Sequence, residues 1–294
     1  MDKKTFFALA LVFVSALPLE VVKAGDLIFL PRVTAGIMQY KYDVGTVGSA
    51  SAITDKVKLE YDYLPFLGLG VTLAAPKEKI FVSTYFRTTI LEEDIEGDGT
   101  FASRNTELNR QDFSVSVGSQ NLFGSPLSAT VGYKYGHTSY DWSEQDSSIG
   151  RVDKENDFIA KGPFIGVAYS LPIGKSALGV RVAYAWLDGE ITTNRIQTGG
   201  GDTNLEVVGR NRKEQIYSQA NGFNLGVSWN GRITEKLSYG ISADVSKYQF
   251  EPKRGLFSDS FFTDNNTGHE ILDLAPYEVE EKVYSLSFLL RYRF

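Results

Sequence analysis

The sequence predicts an all-β chain: a transmembrane antiparallel up-and-down β-barrel of ten strands. Three observations lead there. Apolar residues alternate with small or polar ones at a period of two in segment after segment, which gives each strand two different environments. The connections between these segments alternate between short turns and long polar loops. The segments run to 12 or more residues, beyond the roughly five or six typical of soluble sheets. That length suits tilted strands that cross a bilayer in about 9–11 residues and project beyond it.

In chain order, "MDKKTFFALALVFVSALPLEVVKAGD" comes first. Lys3 and Lys4 precede an apolar stretch from Thr5, Pro18 breaks it, and small residues lead to Ala24. This pattern describes a secretory signal peptide over 1–24, with residues 25–294 as one barrel domain. No later apolar run approaches the roughly 18 residues that a membrane-spanning helix needs. The full chain carries a net charge of −6, and removing three Lys with two acids from 1–24 leaves −7. That acidic balance, without a basic tail, argues against a nucleic-acid partner. There is no cysteine, so disulfides and thiolate sites are excluded.

Ten strands are predicted to begin near 27, 56, 79, 110, 126, 156, 176, 213, 236 and 280. In "VKLEYDYLPFLGLGVTL" the odd set from Val57 to Leu73 is apolar or aromatic. Its even partners include Lys58, Glu60, Asp62, Gly68 and Gly70. In strand 1, Tyr40 and Tyr42 suggest a bulge. "PLSATVGYKYGHTSYDW" sets Val131, Tyr133 and Tyr135 against Thr130, Gly132 and Lys134. "SALGVRVAYAW" sets Val180, Val182, Tyr184 and Trp186 against Arg181 and Ala183. The last strand, "VYSLSFLLRYRF", sets Tyr284, Leu286, Phe288, Leu290, Tyr292 and Phe294 against Ser285, Ser287, Arg291 and Arg293. Short turns ("APKE", "FGSP", "PIGKS", "GRITE") follow strands 2, 4, 6 and 8, and five long polar loops follow the odd strands. Twelve strands is the alternative if the last long loop hides a hairpin.

A sheet in hydrocarbon must pair every backbone N–H and C=O internally, so it survives only as a closed barrel. The apolar face then meets lipid and the polar face lines the lumen. With its signal peptide, even-numbered amphipathic strands and terminal Phe, the mature chain resembles Gram-negative outer-membrane β-barrel proteins throughout its length. The resemblance implies that Phe294, with Tyr292, Leu290 and Phe288, forms the signal read by the barrel-assembly machinery. It also implies periplasmic termini, extracellular long loops, and lipid with lipopolysaccharide as the surroundings of a monomer. Aromatics support two interfacial belts. Tyr61, Tyr63, Tyr140, Trp142, Tyr184 and Trp186 lie toward the long loops, and Tyr169, Trp229, Tyr239, Tyr292 and Phe294 toward the short turns.

The predicted lumen carries Lys58, Glu60, Asp62, Arg87, Lys134, Arg181, Asp244, Arg291 and Arg293, with Arg32 and Asp112 beside them. Two arrangements fit these charges: ion pairs in a filled interior, or a wet constriction that selects solutes. Inward glycines, among them Gly68, Gly70, Gly118, Gly132, Gly136, Gly226 and Gly240, leave room or receive large neighbours such as Phe66 and Tyr248.

Enzymes are the further class to weigh. Omptin proteases place a His–Asp pair with carboxylates at the extracellular mouth, and barrel lipases and deacylases pair a His with a Ser on the wall. His137 shares its outward face with Ser139, which is similar to the second arrangement, but the sequence offers no third member. His269 lies beside Glu270 in the longest loop, near Asp264 and Asp273. No catalytic residue and no cofactor is therefore assigned. "DIEGDGT" places Asp94, Glu96 and Asp98 as the start of a calcium loop, but its twelfth position is Asn105 instead of Glu. The sequence expectation is a narrow pore for small solutes with a charged lumen. A non-conducting barrel with binding loops or an envelope role is the alternative, and a hydrolase the lesser one.

Overall fold

The computed structural model describes residues 27–46, 57–77, 79–90, 105–146, 150–198, 210–261, 264–272 and 277–294. The signal-peptide expectation over 1–24 and the acidic loop with Asp94, Glu96 and Asp98 lie outside them. The elements are β1 (Ile28–Thr46), β2 (Val57–Ala75), β3 (Ile80–Thr89), β4 (Asn105–Leu122), β5 (Leu127–Asp146) and β6 (Gly150–Ile173). They continue as β7 (Ser176–Thr198), β8 (Arg210–Arg232), β9 (Leu237–Phe261), β10 (Asp264–Leu272) and β11 (Tyr277–Tyr292). Each strand pairs antiparallel with its neighbour, and β1 closes the ring on β11 from Arg32 opposite Arg291 to Thr46 opposite Tyr277. Because β9 pairs with β8 on one side and β11 on the other, ten strands form the barrel.

The last long loop does hold a strand, yet the barrel count stays at ten. β10 pairs with residues 255–261 of β9, above the 237–250 segment that β11 occupies. It extends the wall upward without widening the ring.

The outer face is apolar over the half of each strand near the short turns. On β7, Val180, Val182, Tyr184 and Trp186 are exposed, and the next outward positions are Asp188 and Glu190. That apolar stretch matches the span of a tilted strand in a bilayer, so the upper half of the wall stands clear of hydrocarbon. Near the turns Phe29 and Phe294 pack with ring centroids 5.6 Å apart, and Tyr292 meets Phe294 at 4.7 Å. The Phe294 N–H donates to the Phe29 carbonyl at 3.2 Å, so the terminal residue helps to seat the closing strand.

One irregularity resets the predicted phase. Across the β1–β2 ladder Met38 faces Leu64 while Tyr40 faces Tyr61, so β2 uses three steps where β1 uses two. An extra residue reverses which side chains face inward beyond it. The bulge expected in strand 1 is thus in β2, and Tyr40 and Tyr42 simply point into the lumen. Tyr61, expected in the outer belt, turns inward and is buried, as is Tyr140 of β5, while Tyr63 stays outward.

Candidate functional site

The lumen has two parts of different character. In the half toward the long loops the inward residues are almost fully buried: Met38, Tyr40, Tyr42, Leu64, Phe158 and Phe250 belong to one continuous core. Tyr42 of β1 and Phe158 of β6 have ring centroids 5.2 Å apart, although their strands lie on opposite sides of the ring. Phe158 in turn meets Phe250 of β9 edge-on at 4.9 Å. Rings from three walls therefore touch across the bore, and the hydrophobic effect favours keeping them together.

An ion-pair layer adjoins the rings. The Arg110 guanidinium on β4 donates to Glu281 of β11 at 2.5 Å, to Thr138 at 2.9 Å and to Asp112 at 2.9 Å. Arg87 donates to the same Asp112 at 2.7 Å. The guanidinium of Arg110 also lies 5.0 Å from the centre of the Tyr40 ring. Arg110 and Glu281 are buried, and each would be costly to leave unpaired. Lys134 of β5 reaches across to Tyr248 of β9, donating to its hydroxyl, with the ammonium 4.1 Å from the ring centre.

Toward the short turns the lumen is more open and basic. The Arg181 guanidinium donates to Asp244 at 2.5 Å and keeps 54% of its side chain exposed. Arg32 stacks over Tyr85 at 4.6 Å and stands opposite Arg291 in register. Arg293 lies at the exposed rim. The inward glycines receive neighbouring side chains: a Cβ at Gly68 would meet the Tyr85 hydroxyl at 2.5 Å, and one at Gly132 would meet Phe164 at 2.7 Å.

Of the predicted lumen charges, Arg87, Lys134, Arg181, Asp244 and Arg291 face inward, and two oppositely charged pairs form. Glu60 and Asp62 do not join them. Beyond the β2 bulge they face outward, where Glu60 pairs with Lys41 and Asp62 accepts from the Gln39 amide. Lys58 stands on the same shifted arm, opposite Asp43 in register, and its side chain is outside the described residues. Arg110 and Glu281, the most buried pair, were missed. Each sat at the edge of its predicted strand, yet Arg110 shares parity with Asp112, and Glu281 with Arg291.

His137 and Ser139 face outward on β5 as expected. His137 Nε2 is 2.8 Å from Asp157 Oδ1 on β6. The side chains of His269, Glu270 and Asp264 on β10, and all of Asp273, are outside the described residues.

No family model and no curated protein matches this chain. Among solved structures it is similar to the outer membrane protease OmpT of Escherichia coli, at 15% identity and a TM-score of 0.65. That match covers 91% of this chain and 97% of the other. The translocator domain of autotransporter NalP from Neisseria meningitidis matches at 9% identity and a TM-score of 0.43, covering 98% and 97%. A FadL homologue of Pseudomonas aeruginosa matches at 10% identity and a TM-score of 0.34, covering 91% and 90%. The likeness to OmpT shows a shared fold: this chain has the ten-stranded architecture of an outer-membrane β-barrel.

Proposed function

We propose that the protein is a sealed outer-membrane barrel, with its termini in the periplasm, that acts through its outer wall and extracellular end. The carrying observation is the contact between Tyr42 and Phe158 from opposite walls, 5.2 Å between ring centres. A conducting bore needs a water column, and rings packed across it exclude one. The Arg110–Glu281 pair, also from separated walls, adds a second barrier beside the first. This reading favours the non-conducting alternative over the narrow pore, because the glycines that suggested an open lumen receive side chains.

Planar-bilayer recording of the refolded chain tests it. The expected trace is silent for barrels that show heat-modifiable migration. Discrete steps that scale with salt would overturn the reading and restore the pore.

A further inference from the structure

We propose that the outer wall carries a serine-type site for hydrolysis of membrane-lipid acyl esters, with Ser139 as nucleophile and His137 as base. Asp157 acts as the positioning residue. Residues two apart share a face, so Ser139 stands beside His137, and the ladder places Asp157 directly opposite Ser139. The His137 ring is held by Asp157 at 2.8 Å. A carboxylate accepting from Nε2–H fixes the tautomer whose Nδ1 lone pair accepts a proton. In the proposed site the Ser139 hydroxyl, two residues along the same outward face, turns to that nitrogen and completes a nucleophile–base–carboxylate relay.

The surroundings suit the chemistry. Gln111 and Asn109 of β4 stand opposite His137 and Ser139 on the same outward face, and the Gln111 amide donates to Asn109 at 3.3 Å. Side-chain amides in that position are donors for the oxyanion of an acyl-transfer intermediate. Location selects the substrate. On β5 the outward residues below the site are the half-buried Tyr135 and then Tyr133 and Val131, both exposed. His137, Ser139 and Asp157 follow at the upper edge of this band, with the exposed Lys161 beside it. An acyl chain lying along the band brings its ester to the site, while Lys161, opposite Tyr135 and Asp188 in register, stands one step below His137 on the acyl-chain side.

In the reaction the Ser139 oxygen bonds to the ester carbonyl carbon as its proton passes to His137 Nδ1. Collapse breaks the carbon–alkoxy bond, and the alcohol leaves with that proton. Water then attacks the acyl-serine, His137 takes a proton from it and returns one to Ser139, and a fatty acid is released. The sequence pattern supplied His137 and Ser139; Asp157, 18 positions further on, comes beside them only through the β5–β6 register.

The test uses the full mature chain refolded in detergent and in vesicles, with fatty-acid release read by mass spectrometry. One arm presents phosphatidylglycerol, the other lipopolysaccharide; release in either supports the site and identifies the ester's source. Ser139→Ala and His137→Asn should each lower release at least 100-fold, and a fluorophosphonate should label Ser139 but not the Ser139→Ala variant. Asp157→Asn should lower kcat at least tenfold with KM unchanged, and Asp157→Glu should restore part of it. Heat-modifiable migration confirms that each variant is folded. No release from either lipid, or equal release from Ser139→Ala, would overturn the proposal while leaving the sealed lumen untouched.

Discussion

At the scale of the residue, the lumen is governed by what a buried charge requires. Arg110 sits among Tyr40, Thr138, Asp112 and Glu281, and Glu281 is only 1% exposed. Replacing Glu281 by Leu leaves a guanidinium without one of its two carboxylates, at a cost of about 3–5 kcal/mol. Replacing Arg110 by Met strands Glu281 and should cost about as much. The double variant should lose clearly less than the sum, because neither charge is then left alone. Urea unfolding in micelles, followed by tryptophan fluorescence, measures the cycle; additive losses would show that the two groups do not depend on each other. The inward placement of Arg87, Arg181 and Asp244 was legible in the sequence because each lies well inside an alternating strand, but their pairing, Arg87 with Asp112 and Arg181 with Asp244, comes only from the ring's register. Arg110 and Glu281 were not legible, because strand ends are the least certain part of a periodic pattern and both fell there.

At the scale of the element, phase decides everything, and one extra residue changes it. The period of two identified the lower arm of β2 correctly: Leu67 and Leu69 are outward and exposed, while Phe66 and Gly68 are inward. It failed above Leu64, because a bulge adds a step without disturbing composition. The segment "LEYDYL" looks equally regular in either phase. Only the partner strand reveals the slip, through Lys41 seeking Glu60 and Gln39 seeking Asp62. An arginine scan separates the two arms. Leu69→Arg should cost about 2–4 kcal/mol, as a charge on the lipid face near the midplane does. Asp62→Arg, outward but above the apolar band, should cost no more than about 1 kcal/mol, the interfacial end of the same scale. A large loss at Asp62 and none at Leu69 would mean that the band lies higher on the wall than the exposed residues indicate.

At the scale of the whole molecule, the barrel's closure was legible, since hydrocarbon leaves a sheet no other solution. The state of its lumen was not, because contacts such as Tyr42–Phe158 join residues 116 positions apart and depend on how the ring folds back. The proposed seal consists of two layers in series, the aromatic rings and the Arg110–Glu281 pair. Current through barriers in series is limited by the tightest, so removing one layer should not open the bore. Phe158→Ala with Phe250→Ala should therefore leave the bilayer silent. Each truncation costs about 3–5 kcal/mol in stability, so heat-modifiable migration must accompany the recording. Adding Arg110→Ala and Glu281→Ala together removes the second layer without leaving a lone buried charge, and single-channel steps should then appear. Steps in the ring-layer variant alone would show that the ion pair admits ions. Silence in the folded fourfold variant would shift the seal to the Lys134–Tyr248 contact, the next place where β5 and β9 meet across the lumen.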